Sequence, residues 1–436
     1  MSKNKKNAIV FYARDFLADE FSRIGKCLDN LECIYIVVSK QEQTKIERID
    51  KYSVVYNLNN TDDLSVTYKG NLDADMHNKD RFLRYYSNKR IQNIVSFVDI
   101  ISKDIIDKYN VKFYLDEPVS GYPNFIFNNK FKSSGAQCLH FQTAWLPNYM
   151  FFTSDAAQKE LIPLNIGHCG SYLVKNHIKK RQKGMGLPNY VIGYGSVIKR
   201  FKDILSMFLK GLYRVFYRKL SYYVDRDASA HFFHVRSLMS IAKGGYINNK
   251  RLNLLNEKYV VFPLHYEPEA VLNYYSEFTR QEEIAESIID TLPLGYKLIL
   301  KEHPSQPGAL NLSKWKKITN CKRILKVRGD TDINYFLSKK SAVVVSIGST
   351  MALEAAIAGC PSGVFGNVHF KSMPGITFLA SPSDWRVLIN QKPHDQSEII
   401  KYYGEFIDKY CFKGNIMKNQ TKLPNFQKLL DLIVKK

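Results

Sequence analysis

The chain has 436 residues, 45% hydrophobic and 24% charged, enough for about two or three ordinary globular cores, and this excludes an intrinsically disordered protein. Its 63 Lys and Arg against 41 Asp and Glu give a formal net charge of +22, which points to an anionic partner and says nothing about fold. The seven cysteines have neither metal-binding nor redox spacing, so they read as reduced thiols rather than a disulfide framework.

The opening MSKNKKNAIVFYARDF is basic, but its apolar run is too short for a signal peptide and no small-residue cleavage site follows. No stretch reaches the roughly 18 apolar residues of a membrane-spanning helix, so the expected location is the cytoplasm. NAIVFYARD reads as a first buried strand ending on Arg14 and Asp15, and LECIYIVVS as a second strand after a helix-length gap. RIQNIVSFVDIISKDIIDKY has helical periodicity. KFYLDEP is a strand ending on Asp116 and Glu117, and AQCLHFQT is a further strand. Short apolar runs alternating with longer helical patterns predict βαβ units and a parallel sheet.

Between residues 175 and 219 the character changes: about a dozen Lys and Arg face a single acid, Asp203. Phe201, Ile204, Leu205, Phe208, Leu209, Leu212 and Phe216 recur at helical spacing, with Lys199, Lys202, Lys210, Arg214 and Arg218 on the other face. Such a helix either lies on an anionic membrane surface or packs its apolar stripe on the protein. The basic residues do not interleave with stacking aromatics on a sheet, and no nucleic-acid-binding motif is present, so no nucleic-acid partner is expected.

The second half repeats the alternation. KYVVFPLHYEPE is a strand and loop, SEFTRQEEIAESIIDTLP an amphipathic helix, and YKLILKEHP a strand. DINYFLSKK is a short helix, SAVVVSIGST a strand and turn, MALEAAIAG a helix and PSGVFG a strand. The fold class is α/β, with two Rossmann-like, doubly wound domains whose function lies at the carboxyl ends of the strands. The expected division is 1–245 with the basic insertion at about 175–220, 246–395, and terminal helices over 396–436 able to return to the first domain.

The strand–turn–helix VVVSIGSTMALEAAIAG carries the strongest chemistry. The first N–H groups of a helix lack intrahelical acceptors and sit at the positive end of its dipole. Gly348 permits close backbone approach, and Ser346, Ser349 and Thr350 add hydroxyl donors, so the turn suits a phosphate. Glu354, one turn in, fits neutral hydroxyls such as those of ribose better than an anion; an ordinary helix cap is the bland alternative. Lys301, Glu302 and His303 are expected to end the neighbouring strand of the same sheet, and Pro304 turns the chain away. His303 is expected to reach the same phosphate. Of Lys301 and Glu302 at most one is expected to face the cleft, the other forming a surface ion pair. Asp116 and Glu117, like Arg14 and Asp15, end strands of the first half.

In this order, YVVFPLHYEPEA, LPLGYKLILKEHPSQPG and VVVSIGSTMALEAAIAGCP resemble the capsule polysaccharide biosynthesis family, which includes bacterial Kdo transferases. The His-Pro element and the Ser/Thr turn are also similar to bacterial sialyltransferases and, more distantly, to teichoic acid glycerophosphotransferases. The resemblance is clearest over about residues 258–365. It implies a GT-B glycosyltransferase with its active site between the two domains, and a nucleotide sugar held by the C-terminal domain. CMP-Kdo or a related CMP-activated acidic sugar is the favoured donor, and the acceptor is a glycan or lipid-linked glycan. On that reading His303 and the 346–350 turn hold the donor phosphate, Glu354 lies on the nucleotide, and His265 and Glu269 line the pocket. The first domain would then bind the acceptor, with Asp116 or Glu117 as the base for its hydroxyl, Glu117 preferred, and Arg14 and Asp15 secondary on the acceptor side. Neither metal nor cofactor is implied, and no DxD motif stands in an obvious donor site. The place of action would be the cytoplasmic face of the inner membrane. A polyol-phosphate transferase, a sugar-nucleotide epimerase and a non-catalytic assembly scaffold are the alternatives.

Overall fold

The computed structural model describes residues 5–51, 53–58, 86–117, 121–155, 157–183, 258–267, 270–273, 275–331, 342–416 and 425–434. It also describes isolated positions between them, including Asp80, Leu83, 244–247 and six residues within 202–212. By packing, the chain forms two units: Met1–His168 with Phe406–Lys436, and Cys169–Leu220 with Val224–Glu405.

In the first unit β1 (Asn7–Tyr12), β2 (Glu32–Val37), β3 (Val54–Asn57), β4 (Asn110–Asp116) and β5 (Gln137–Thr143) are parallel. With β6 (Tyr149–Thr153) and β13 (Cys411–Lys413) antiparallel at one edge, the order is β13-β6-β5-β4-β1-β2-β3. Strand β1 shows why the sheet is doubly wound. Its side chains alternate, and both faces are apolar. Ile9 and Phe11 join a core with Leu17, Phe21 and Ile24 of α1 (Leu17–Gly25) and Ile46 of α2 (Lys40–Ile49). Ala8, Val10 and Tyr12 join the opposite core, with α3 (Asn88–Lys108) and α4 (Tyr122–Ser133). The chain returns to this unit at its end: Phe412 of β13 and Phe426, Leu429, Leu430 and Ile433 of α11 (Phe426–Val434) complete the first core.

The second unit begins with α5 (Gly170–Gln182). Its sheet is wholly parallel, β12-β11-β10-β7-β8-β9, from β7 (Lys258–Pro263), β8 (Tyr296–Lys301), β9 (Ile324–Val327), β10 (Ala342–Ser346), β11 (Ser362–Val364) and β12 (Ile376–Phe378). Helices α6 (Ala270–Asn273), α7 (Gln281–Asp290), α8 (Lys316–Thr319), α9 (Thr350–Ile357) and α10 (Gln396–Tyr410) connect or follow the strands. Helix α7 buries Ile284, Ala285 and Ile288 against β7 and β8 residues Val260, Phe262 and Leu298.

The packing boundary falls after His168, where the sequence reading placed it near 245. Helix α5 explains the difference. A Cβ on Gly170 would stand 2.1 Å from the Gly404 carbonyl oxygen, so α5 and α10 meet backbone to backbone within the second unit. The expected helix over DINYFLSKK and most of the basic stretch lie outside the described residues. Among the described residues no helix is long and apolar enough to cross a membrane.

Candidate functional site

Both sheets contain the order 3-2-1-4-5: the chain builds outwards from β1 or β7 to one side, then crosses to β4 or β10 on the other. Ligands of such sheets bind outside the carboxyl ends of the strands where the order reverses. In the second unit that point lies between β7 and β10, and in the first between β1 and β4. His265 and the 346–350 turn lie at the second of these places, and Arg14, Asp15, Asp116 and Glu117 at the first.

In the second unit, β7 runs into His265 and β10 into Gly348. His265 is buried, and its Nε2 accepts the Gly348 N–H at 3.1 Å. An accepting ring nitrogen carries no proton, so a neutral His265 holds its proton on Nδ1. Gln281 fixes the loop: its Oε1 accepts the His265 N–H at 2.6 Å, and its Nε2 donates to the His265 carbonyl at 3.2 Å and to Glu267 at 2.9 Å. Gly348 is pinched, since a Cβ there would come within 2.8 Å of Val368 and 2.9 Å of Val271. The start of α9 is largely self-capped. Ser349 N–H donates to Ser346 Oγ and Met351 N–H to Ser349 Oγ, each at 3.2 Å, and Ala352 N–H donates to the Ser349 carbonyl. Thr350, which is exposed, keeps the one N–H between 348 and 352 that meets no acceptor among the described residues. Glu354 pairs with Arg181 of α5, Oε1 to Nη2 at 2.7 Å.

His303 is one strand further away. The serine turn and His303 were expected on neighbouring strands, but β7 lies between β8 and β10, and His265 is the histidine in contact with the turn. His303 is half-buried at the same end of the sheet; its Nδ1 accepts the Ser305 N–H at 3.1 Å and its ring stands edge-on to Tyr266. The reading of Lys301 and Glu302 is corrected: both are buried. Lys301 Nζ donates to the Gly329 carbonyl at 2.6 Å. Glu302 accepts from Tyr246 OH and from the N–H groups of Gly308 and Leu310, so it anchors the turn that follows the motif. Burial raises its pKa against those donors and Lys326. Glu269 lies outside the described residues.

At the first switch point Asp116 and Glu117 part company. Asp116 is 0% exposed. Its carboxylate accepts from Tyr114 OH at 2.9 Å and Asn124 Nδ2 at 2.7 Å and contacts His140 Nδ1, whose Nε2 meets Asn128 Oδ1 at 2.9 Å. It is enclosed, which corrects its candidacy as a base. Glu117 keeps 26% of its side chain exposed and lies 3.9 Å from Arg14 Nη2. Asn124 also donates to the Glu117 carbonyl at 3.2 Å. Burial disfavours the Arg14 charge, but Tyr12 and the carboxylates of Glu117, Asp15 and Glu42 outweigh it and hold the guanidinium firmly protonated. Asp15 is exposed with φ 51°, and its N–H donates to Glu42 at 2.7 Å, while the second oxygen of Glu42 accepts the Val38 N–H. Glu42 thus ties the ends of β1 and β2 together. Arg181, His140, Asn124, Glu42 and Gln281 were not singled out from sequence; only a contact distant in sequence reveals Arg181. Among the described residues no group of three or more His, Cys, Asp or Glu is placed to hold a metal ion.

Two units with Rossmann-type strand order and polar groups at both switch points define a doubly wound α/β protein. Residues 214–405 match the family of capsule polysaccharide biosynthesis proteins, the family that the motif order resembles. No curated protein sequence matches the chain. Among solved structures it is similar to the beta Kdo 2,7 transferase KpsC of Thermosulfurimonas dismutans, at 13% identity over 85% of this chain and 88% of that one, TM-score 0.35. It is also similar to S. aureus MnaA in a UDP co-structure, at 12% over 92% and 93%, TM-score 0.30. A third is the wall teichoic acid polymerase TagF, at 9% over 99% and 89%, TM-score 0.25.

Proposed function

We propose that the protein is a GT-B glycosyltransferase of surface-polysaccharide synthesis. It would take a nucleotide sugar, with a CMP-activated acidic sugar such as CMP-Kdo favoured, and act on a glycan or lipid-linked glycan. The observation that carries this reading is that the family match contains three ordered motifs, and these fall at the carboxyl ends of β7, β8 and β10, around the switch point. The acceptor hydroxyl attacks the anomeric carbon; the new glycosidic C–O bond forms as the sugar–phosphate C–O bond breaks, and the nucleotide leaves with the electron pair. Glu117, 3.9 Å from Arg14 Nη2, takes the hydroxyl proton. The growing phosphate charge is met by the Thr350 N–H and hydroxyl, the positive start of α9 and a proton of His303. The resemblance supports this without a metal or cofactor, and nucleotide and acceptor are the only partners that the chemistry requires. The basic stretch would hold the enzyme at the cytoplasmic face of the inner membrane.

A thermal-shift panel of CMP, CDP, UMP, UDP and GDP tests the donor site, because a ligand that binds only the folded state raises its stability. CMP is expected to give the largest shift. A UDP or GDP response moves the donor class, and no response to any nucleotide overturns the reading.

A further inference from the structure

Arg181 has no part in the scheme above, yet it touches that site. It lies on the buried face of α5 with Val174, His177 and Ile178, and its Nη2 donates to Glu354 Oε1 at 2.7 Å. The two side chains are only 10% and 16% exposed. Arg181 Nη1 is enclosed and meets no acceptor among the described residues. Glu354 stands one helical turn from the exposed Thr350, on the same side of α9. A carboxylate so close to a helix start would repel a phosphate there unless its charge were cancelled.

We propose that Arg181 is a positioning residue of the donor site: it cancels and orients Glu354, so that an anionic nucleotide meets a net positive start of α9. The inference rests on the reading of that helix start as the nucleotide site. It differs from a plain packing clamp between α5 and α9, which would affect stability alone. With Arg181 gone, Glu354 loses this counter-charge and binding should weaken, and removing the carboxylate as well should restore it.

The test is calorimetric titration of CMP and UDP into the full-length protein, with thermal unfolding in parallel, for wild type, Arg181→Gln, Glu354→Gln and the double variant. Arg181→Gln should weaken nucleotide binding by about tenfold or more, and the double variant should recover to within about threefold of Glu354→Gln. The second comparison stands even if Arg181→Gln alone fails to fold. Unchanged affinity in Arg181→Gln overturns the inference and leaves the donor site in place. A further loss on removing Arg181 from Glu354→Gln also overturns it, because Arg181 would then touch the ligand directly. If wild type binds neither of these nor any other nucleotide of the panel above, the donor-site reading falls and takes the inference with it.

Discussion

Neighbouring acids can hold opposite jobs: Asp116 is the last residue of β4 and buried, while Glu117, the first beyond it, reaches solvent. Asp116 is two residues from Tyr114, so both point to the same face of β4, where Tyr114 belongs to the second core. Residues 113 to 116 are all buried, so FYLDE offers no alternation that separates the two acids, and the partner His140 comes from another strand. Asp116→Asn should therefore unfold more easily, by on the order of 3 kcal/mol in urea denaturation, since it breaks a fully buried charged network. Glu117→Gln should keep the wild-type midpoint and lose sugar transfer. His303→Ala should likewise stay folded while turnover falls about a hundredfold or more. Near-normal turnover in either of the last two variants removes that residue from the chemistry.

At the scale of elements, the long apolar strands and their polar ends were readable, because a buried parallel strand is a continuous apolar run. Strands β3 and β9, with four residues each, and β11 and β12, with three, offer little periodicity to count. The sheet order was beyond local pattern, and that is why β7 was not expected between His303 and the serine turn. Helix α5 gives a prediction of its own. Its His177 is held neutral, with a pKa lowered from 6.5 to about 4 by burial and by the nearby Arg181 and Lys180. The unfolded chain therefore takes up this proton first as pH falls. The resulting stabilisation is complete above about pH 6.5 and disappears progressively towards pH 4, amounting to on the order of 3 kcal/mol. Burial moves His369 the same way, to about 3. Denaturation at pH 7.5, 6 and 5 should show the stability gap between wild type and His177→Gln narrowing with acid; a constant gap contradicts this origin.

For the whole molecule, the charge excess and the basic stretch belong together. Leu205, Phe208 and Leu209, at helical spacing, are 48%, 40% and 55% exposed, and Lys202 beside them is exposed as well. Apolar side chains among lysines suit an anionic lipid surface, where insertion and charge attraction add. The protein should sediment with phosphatidylglycerol-containing vesicles at low salt, less at high salt, and much less with Leu205→Asp and Leu209→Asp combined. Equal recovery with purely zwitterionic vesicles would contradict an electrostatic contribution.

The returning tail has a different consequence, one of timing. The core around Ile9 and Phe11 is closed by Phe412, Ile416, Phe426, Leu429, Leu430 and Ile433, some 400 residues later in the chain. On the ribosome that core must wait for residues 426–434, whereas Cys169 to Glu405 have all emerged before them. The unit that starts the chain is thus the last to be finished, and it holds an open apolar face throughout synthesis of the other.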